Sequence, residues 1–154
     1  MKIVDANVLI YATNELSGEH FAAKTWLDDA LSRTEPVFIP WMCLLAYVRV
    51  NTNPRAVVVP LTVDEAMDDV DSWLAAPPVR TELPSVAVAP ALRRMLNTIG
   101  TGGNIVNDAW LAALAVGLNA EIVSFDRDFG RFPSVRWLNP SVGNESLMCP
   151  DGGK

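Results

Sequence analysis

The chain has 154 residues, half of them hydrophobic, which suits one compact domain with a sizeable core. Its formal net charge of −6 excludes a generic nucleic-acid binder working by broad phosphate neutralisation, so any such role must rest on a local basic patch. Two cysteines, Cys43 and Cys149, are too few for a disulfide framework and lack the Cys or His neighbours of a zinc site, which suits a reducing compartment.

In chain order, the apolar run over 2–11 is too short for a helix and reads as a buried strand that delivers a carboxylate, Asp5, just where it ends. Ligands of α/β proteins gather outside the carboxyl ends of strands, which places Asp5 on the functional edge. Taken alone, the segment slightly favours an Asx-type turn made by Asp5 and Asn7 into the next helix, and a second short β-rich run over 121–125 that also ends on an acid, Asp126, shifts the balance. Residues 11–15 connect, and Ser17 is a candidate N-cap for a helix to about residue 31, with Phe21, Trp26, Leu27, Ala30 and Leu31 apolar and His20 on its exposed side. A second short strand is predicted over 36–39, followed by a helix over 41–50 whose first turn accepts Pro40. Asn53-Pro54 ends it. Thr62 and Glu65 form a capping box for a helix carrying Ala66, Val70, Trp73 and Leu74 at helical spacing, and Pro77-Pro78 stops it. The acids of that helix, Asp64, Glu65, Asp68, Asp69 and Asp71, read as a solvated face.

A weak strand candidate covers 79–83, and the next helix is predicted over 90–99, turning Leu92, Met95, Leu96 and Ile99 inward, with Gly100 as its C-cap. The glycines of 100–104 are not a phosphate loop, because the Lys-Ser/Thr ending is missing and no strand leads into them; a flexible turn is expected. Asn104 can cap a helix over 105–117 that is apolar nearly all round and so buried. Asp108 stands in its first turn, where the helix dipole favours an acid. The dipole does not explain an acid in the most apolar helix of the chain. A strand over 122–125 ends on another acid, Asp126, and an edge strand over 135–138 follows a turn through Asp128, Phe129 and Gly130. Alternating strands and helices imply a mostly parallel sheet covered on both faces, in one domain over 1–140, with a flexible tail over 141–154. The longest apolar stretch, 105–118, is shorter than the ~20 residues of a membrane span, and no secretory pattern opens the chain. A cytoplasmic protein is expected.

The single histidine removes mechanisms that need a His pair, a Ser-His-Asp triad or a His-rich zinc site. Carboxylates remain: Asp5 and Asp126 at strand ends and Asp108 at the start of a buried helix. Brought together without cationic partners they would raise one another's pKa, so such a cluster calls for a divalent cation. Oxygen-only ligands favour Mg²⁺ or Mn²⁺, and the natural chemistry is metal-assisted displacement at phosphorus.

Four segments carry a family resemblance: 4–12 (VDANVLIYA), 45–55 (LAYVRVNTNPR), 107–115 (NDAWLAALA) and 124–129 (SFDRDF). In this order and spacing they resemble the PIN-domain ribonucleases, and more closely the VapC toxins of bacterial toxin–antitoxin pairs, over 1 to about 140. The resemblance implies an α/β/α sandwich, Mg²⁺ or Mn²⁺, endonucleolytic cleavage of RNA, and inhibition by a small VapB-like antitoxin. Carried over by position, Asp5, Asp108 and Asp126 match catalytic and metal-binding acids, with Asn7, Ser124 and Asp128 in supporting places. The pattern departs at Ala46, where many PIN domains carry Glu three residues before the Arg that here is Arg49; Asp128 is the nearest substitute in sequence. Arg49 and Arg55 are candidates for RNA or antitoxin contact, and equally for surface arginines packing their stems. Arg80, Arg93 and Arg94 complete the expected basic rim. The helices near 18–31 and 41–50 are the expected antitoxin or dimer surface, and a homodimer is expected. Two other readings stand beside this one. One is a PIN-like binding protein whose catalysis is weak or lost through Ala46. The other is an acid-nucleophile phosphatase, which lacks its second acid where Asn7 stands.

Overall fold

The computed structural model describes residues 1–81, 87–100 and 102–142. Its strands are β1 (Lys2–Val4), β2 (Val37–Phe38), β3 (Val79–Arg80), β4 (Glu121–Val123) and β5 (Arg136–Leu138). They lie in the order β3-β2-β1-β4-β5 with every pairing parallel. Six α-helices are found among the described residues: α1 (Ala6–Thr13), α2 (His20–Ser32), α3 (Trp41–Asn51), α4 (Val63–Ala75), α5 (Val88–Ile99) and α6 (Val106–Leu118). This is the expected three-layer α/β/α sandwich, with the sheet parallel throughout rather than mostly so. Burial on both faces explains the β-branched, unalternating strands: Ile3, Val4, Ile122 and Val123 are all shut off from solvent.

The strand order positions the site. From β1 the chain builds outward through β2 and β3 on one side, then returns to lay β4 and β5 on the other. Between the carboxyl ends of β1 and β4 the order reverses, which is where open α/β sheets leave a crevice. Asp5 follows β1 directly, and Ser124 follows β4.

Several local expectations are corrected. Residues 6–13 are a helix, where the sequence suggested a continued strand and a connection. Val8, Leu9 and Ile10 favour a strand by type, but packing against α2 and α3 buries Val8, Leu9 and Ala12 at helical spacing, and tertiary burial overrides the preference. Ser17 is not the N-cap of α2. Its hydroxyl accepts from Glu19 N–H at 3.2 Å and its carbonyl from His20 N–H at 3.1 Å, a turn that delays the helix to His20. His20 is half-buried, its Nδ1 lying 3.0 Å from the Tyr11 carbonyl. Phe21 points outward, because the buried face is Ala23, Leu27 and Ala30, from whose mean direction residue 21 is about 150° away at roughly 100° per residue. Asn104 lies inside a 3₁₀ turn, Gly103–Ile105, that winds directly into α6, so the helix needs no side-chain cap there.

The Thr62–Glu65 capping box of α4 is present in both directions, and Gly100 ends α5 at φ 75°, where a side chain would be strained. Of the strand expected over 79–83, Val79 and Arg80 form β3, while 82–83 lie outside the described residues, as do 101 and the expected tail beyond Val142.

Candidate active site at the carboxyl edge of the sheet

Asp5 is the N-cap of α1, with extended backbone at φ −78°, ψ 153°. Its N–H still belongs to the sheet, donating to the Val123 carbonyl at 3.0 Å, so strand and helix meet at this one residue. Its Oδ1 accepts from Ala6 N–H at 2.7 Å. Oδ2 accepts from Asn7 Nδ2 at 2.8 Å and from the Ser124 hydroxyl at 2.7 Å. These donors favour the ionised form, but burial outweighs them: the Asp5 carboxyl sits above the usual range because of desolvation, with Asp126 adding to the rise.

Ser124 joins the two halves. It is fully buried, and its hydroxyl donates to Asp5 while accepting from Asn7 Nδ2 at 2.9 Å and from Asp126 N–H at 3.0 Å. One donor and two acceptor positions are all a hydroxyl has, so its capacity is spent. Asn7 closes the ring, its Oδ1 accepting from Phe125 N–H at 3.2 Å. Asp126, on the exposed side, caps the 3₁₀ turn Arg127–Arg131 by accepting from Asp128 N–H at 2.8 Å. Asp128 pairs with Arg131 at 3.4 Å. Arg127 and Arg131, which the expected basic rim did not include, lie on the same 3₁₀ turn as Asp128.

Asp108 reports how these groups combine. Half-buried in the first turn of α6, its carboxyl is pushed up to about 6, first by desolvation and then by Asp5, Asp126 and Asp128. Four acids therefore share one electrostatic neighbourhood, and among the described residues no basic side chain forms an ion pair with Asp5, Asp108 or Asp126. Among the described residues no three His, Cys, Asp or Glu side chains are gathered closely enough to hold a metal ion. Mg²⁺ usually keeps several waters and binds through one or two carboxylates, so hard oxygen donors with uncompensated charge fit such an ion by chemistry and electrostatics.

Helix α3 runs behind Asp5. The buried Cys43 thiol is held far above its ordinary pKa by desolvation and then by the Asp5 charge, so it is no nucleophile. Ala46, three residues on, shares that helix face and leaves the place without a carboxylate. Arg49 and Arg55 are exposed and form no ion pair among the described residues.

The family profile described as PIN domain matches residues 2–135. The chain is 51% identical over 140 residues to Ribonuclease VapC37 of Mycobacterium tuberculosis, covering 91% of this chain and 97% of that protein. It is 35% identical over 147 residues to Ribonuclease VapC43 of the same species, covering 96% and 100%. The solved structure of VapBC-1 from nontypeable Haemophilus influenzae matches with a TM-score of 0.65 at 16% identity over 91% of this chain and 98% of that one. Mycobacterium tuberculosis VapC20, described as a sarcin-ricin loop cleaving toxin, matches with a TM-score of 0.62 at 16% identity, over 88% and 99%. At such identities the solved structures speak to the fold, and the profile and the sequence relatives to descent: the chain belongs to the PIN-domain family, among its VapC members.

Proposed function

We propose that the protein is a divalent-cation-dependent endoribonuclease that cleaves structured RNA, the toxin of a toxin–antitoxin pair, working in the cytoplasm. The observation that carries this reading is the set of carboxylates, Asp5, Asp108 and Asp126, without ion-pair partners among the described residues at the reversal point of the sheet, one of them displaced to about 6 by burial and then by the other acids. In this reading one or two of the carboxylates Asp5, Asp108 and Asp126 would hold a hydrated Mg²⁺ or Mn²⁺ directly and the rest would reach it through its waters, with Asn7, Ser124 and Asp128 in support. When bound, the cation supplies an activated water and neutralises charge on the scissile phosphate. Ala6 N–H, Asn7 and Ser124 hold the Asp5 carboxylate in one orientation, so little reorganisation is left for the reaction itself. The burial and like charges that push the Asp108 carboxyl up are the unfavourable terms that a bound cation would offset.

Cleavage of RNA in Mg²⁺ or Mn²⁺ that is lost in EDTA and after Asp5→Asn supports this mechanism; cleavage unchanged by either refutes it. Ala46 favours a second reading, a PIN-like binding protein with weak or no catalysis. Tight RNA or antitoxin binding by a parent chain that cleaves nothing would select it.

The partner in this proposal is a VapB-like antitoxin, in keeping with the VapBC complexes among the structural matches. Phe21 on α2 and Trp41 and Leu45 on α3 expose 80%, 45% and 64% of their surface and offer apolar anchors, with Arg49 one turn beyond Leu45. The isolated chain is proposed to be a homodimer, which light scattering tests directly; a strict monomer refutes that part. Among the described residues no helix is long and apolar enough to cross a membrane. RNA contact through Arg49 and Arg55 predicts affinity that falls with salt, and salt-independent affinity contradicts it.

A further inference from the structure

The backbone of Ser124 is tied to the edge strand at both of its polar atoms. Its N–H donates to the Leu138 carbonyl at 3.0 Å, continuing the β4–β5 ladder past the Val123↔Leu138 pair. Its carbonyl accepts from the indole Nε1–H of Trp137 at 2.8 Å, a side-chain bond that the ladder does not supply. Trp137 is half-buried and packs its ring against the core, so the N–H is delivered by a side chain with little freedom.

The peptide unit between Ser124 and Phe125 is planar, so its carbonyl and its N–H turn together. Trp137 holds the carbonyl, and Asn7 Oδ1 holds the N–H at 3.2 Å. The same Asn7 donates to Asp5 Oδ2 and to Ser124 Oγ. A single plane, clamped from β5 on one side and from α1 on the other, therefore sets the direction in which Ser124 and Asn7 meet Asp5.

We infer that Trp137 is a positioning residue of the carboxylate site, acting through the Ser124–Phe125 peptide on Asn7, Asp5 and Asp126. Its kinetic consequences rest on the ribonuclease reading; its structural consequences do not. Without the indole donor the plane is free to rotate, the Phe125–Asn7 bond loosens, and the buried Ser124 carbonyl loses its side-chain partner.

The test compares the parent with Trp137→Phe, which keeps a packed ring and removes the donor. A second variant places β-(3-benzothienyl)alanine at 137, preserving the ring shape with sulfur in place of N–H. In the metal-free protein, amide exchange at Phe125 and Asp126 is expected to rise about fivefold or more, the effect of one lost hydrogen bond, while the amides of α6 keep the parent rate. With RNA, kcat is expected to fall about tenfold, as expected when an interaction made mainly in the transition state is lost, with KM within about twofold. Unchanged exchange at Phe125 and Asp126 in both variants, acceleration spread evenly over the chain, or a kcat equal to the parent's overturns the inference. A parent that cleaves no RNA defeats the ribonuclease reading instead, and the exchange comparison then decides the positioning role by itself.

Discussion

Asp108→Asn should stabilise this protein, and by an amount that depends on pH. The carboxyl is raised from 3.8 to about 6 by burial and by Asp5, Asp126 and Asp128, so the native state binds the proton more tightly than the unfolded chain does. The native state therefore carries more protons between pH 4 and pH 6, and unfolding free energy falls as pH rises through that window. Above it the full penalty is present; below it there is none. A displacement of that size corresponds to about 3 kcal/mol at 1.36 kcal/mol per pH unit. Because the side chain is only half-buried, solvent screening reduces this to about 1–2 kcal/mol. Asparagine resembles the protonated acid in shape and carries no charge, so it should recover that amount at pH 7.5 and almost nothing at pH 4. Urea denaturation of both proteins at the two pH values measures it. Mg²⁺ or Mn²⁺ should then raise the parent's Tm more than the variant's, since a ligand bound only by the native state stabilises by mass action. Equal stability of the two proteins at pH 7.5, or a gain as large at pH 4, would refute the account of Asp108 as a carboxylate destabilised by burial and by the acids around it.

Three further outcomes follow from the same geometry. Ser124→Ala leaves Asp126 N–H without its acceptor and Asp5 without one of its donors, and should cost about 2–3 kcal/mol in urea denaturation while moving the Asp5 carboxyl further up in a ¹³C NMR titration; a lowered Asp5 pKa contradicts the network. Ala46→Glu adds a like charge on the helix face that senses Asp5, so the metal-free Tm should drop and the Mn²⁺-induced rise in Tm and the rate of RNA cleavage should both grow; a cation response equal to the parent's counts against the proposed site. Tyr47, fully buried, donates its hydroxyl to Asp69 and meets the Trp73 ring edge-on at 4.7 Å. Tyr47→Phe should lower stability by about 1–2 kcal/mol, measured by chemical denaturation, with RNA cleavage unaltered because neither group belongs to the site.

The sequence by itself determined the features whose cause is local. The Thr62–Glu65 capping box, the end of α5 at Gly100 and the acid in the first turn of α6 depend on residues within a turn or two of one another, and all are present in the structure. The strand-end position of Asp5 followed from a short β-branched run bounded by an acid, whereas β4 ends at Val123 and leaves Asp126 three residues on, capping a 3₁₀ turn; the ordered motifs reached the family through the same residues. What has no local cause was not legible. Helix α1 begins at Ala6 because α2 and α3 bury Val8, Leu9 and Ala12, which strand preference alone could not foretell. Ser124 meets Asp5 and Asn7 across 119 and 117 positions, and only the pairing of β1 with β4 brings them together. Trp137 reads as an ordinary edge-strand aromatic until β5 places its N–H on the Ser124 carbonyl. The displaced pKa of Asp108 likewise needs burial and three other acids at once. Composition and periodicity record each residue's own preferences, whereas burial, long-range hydrogen bonds and summed charge are properties of the folded neighbourhood, and the site is built from those.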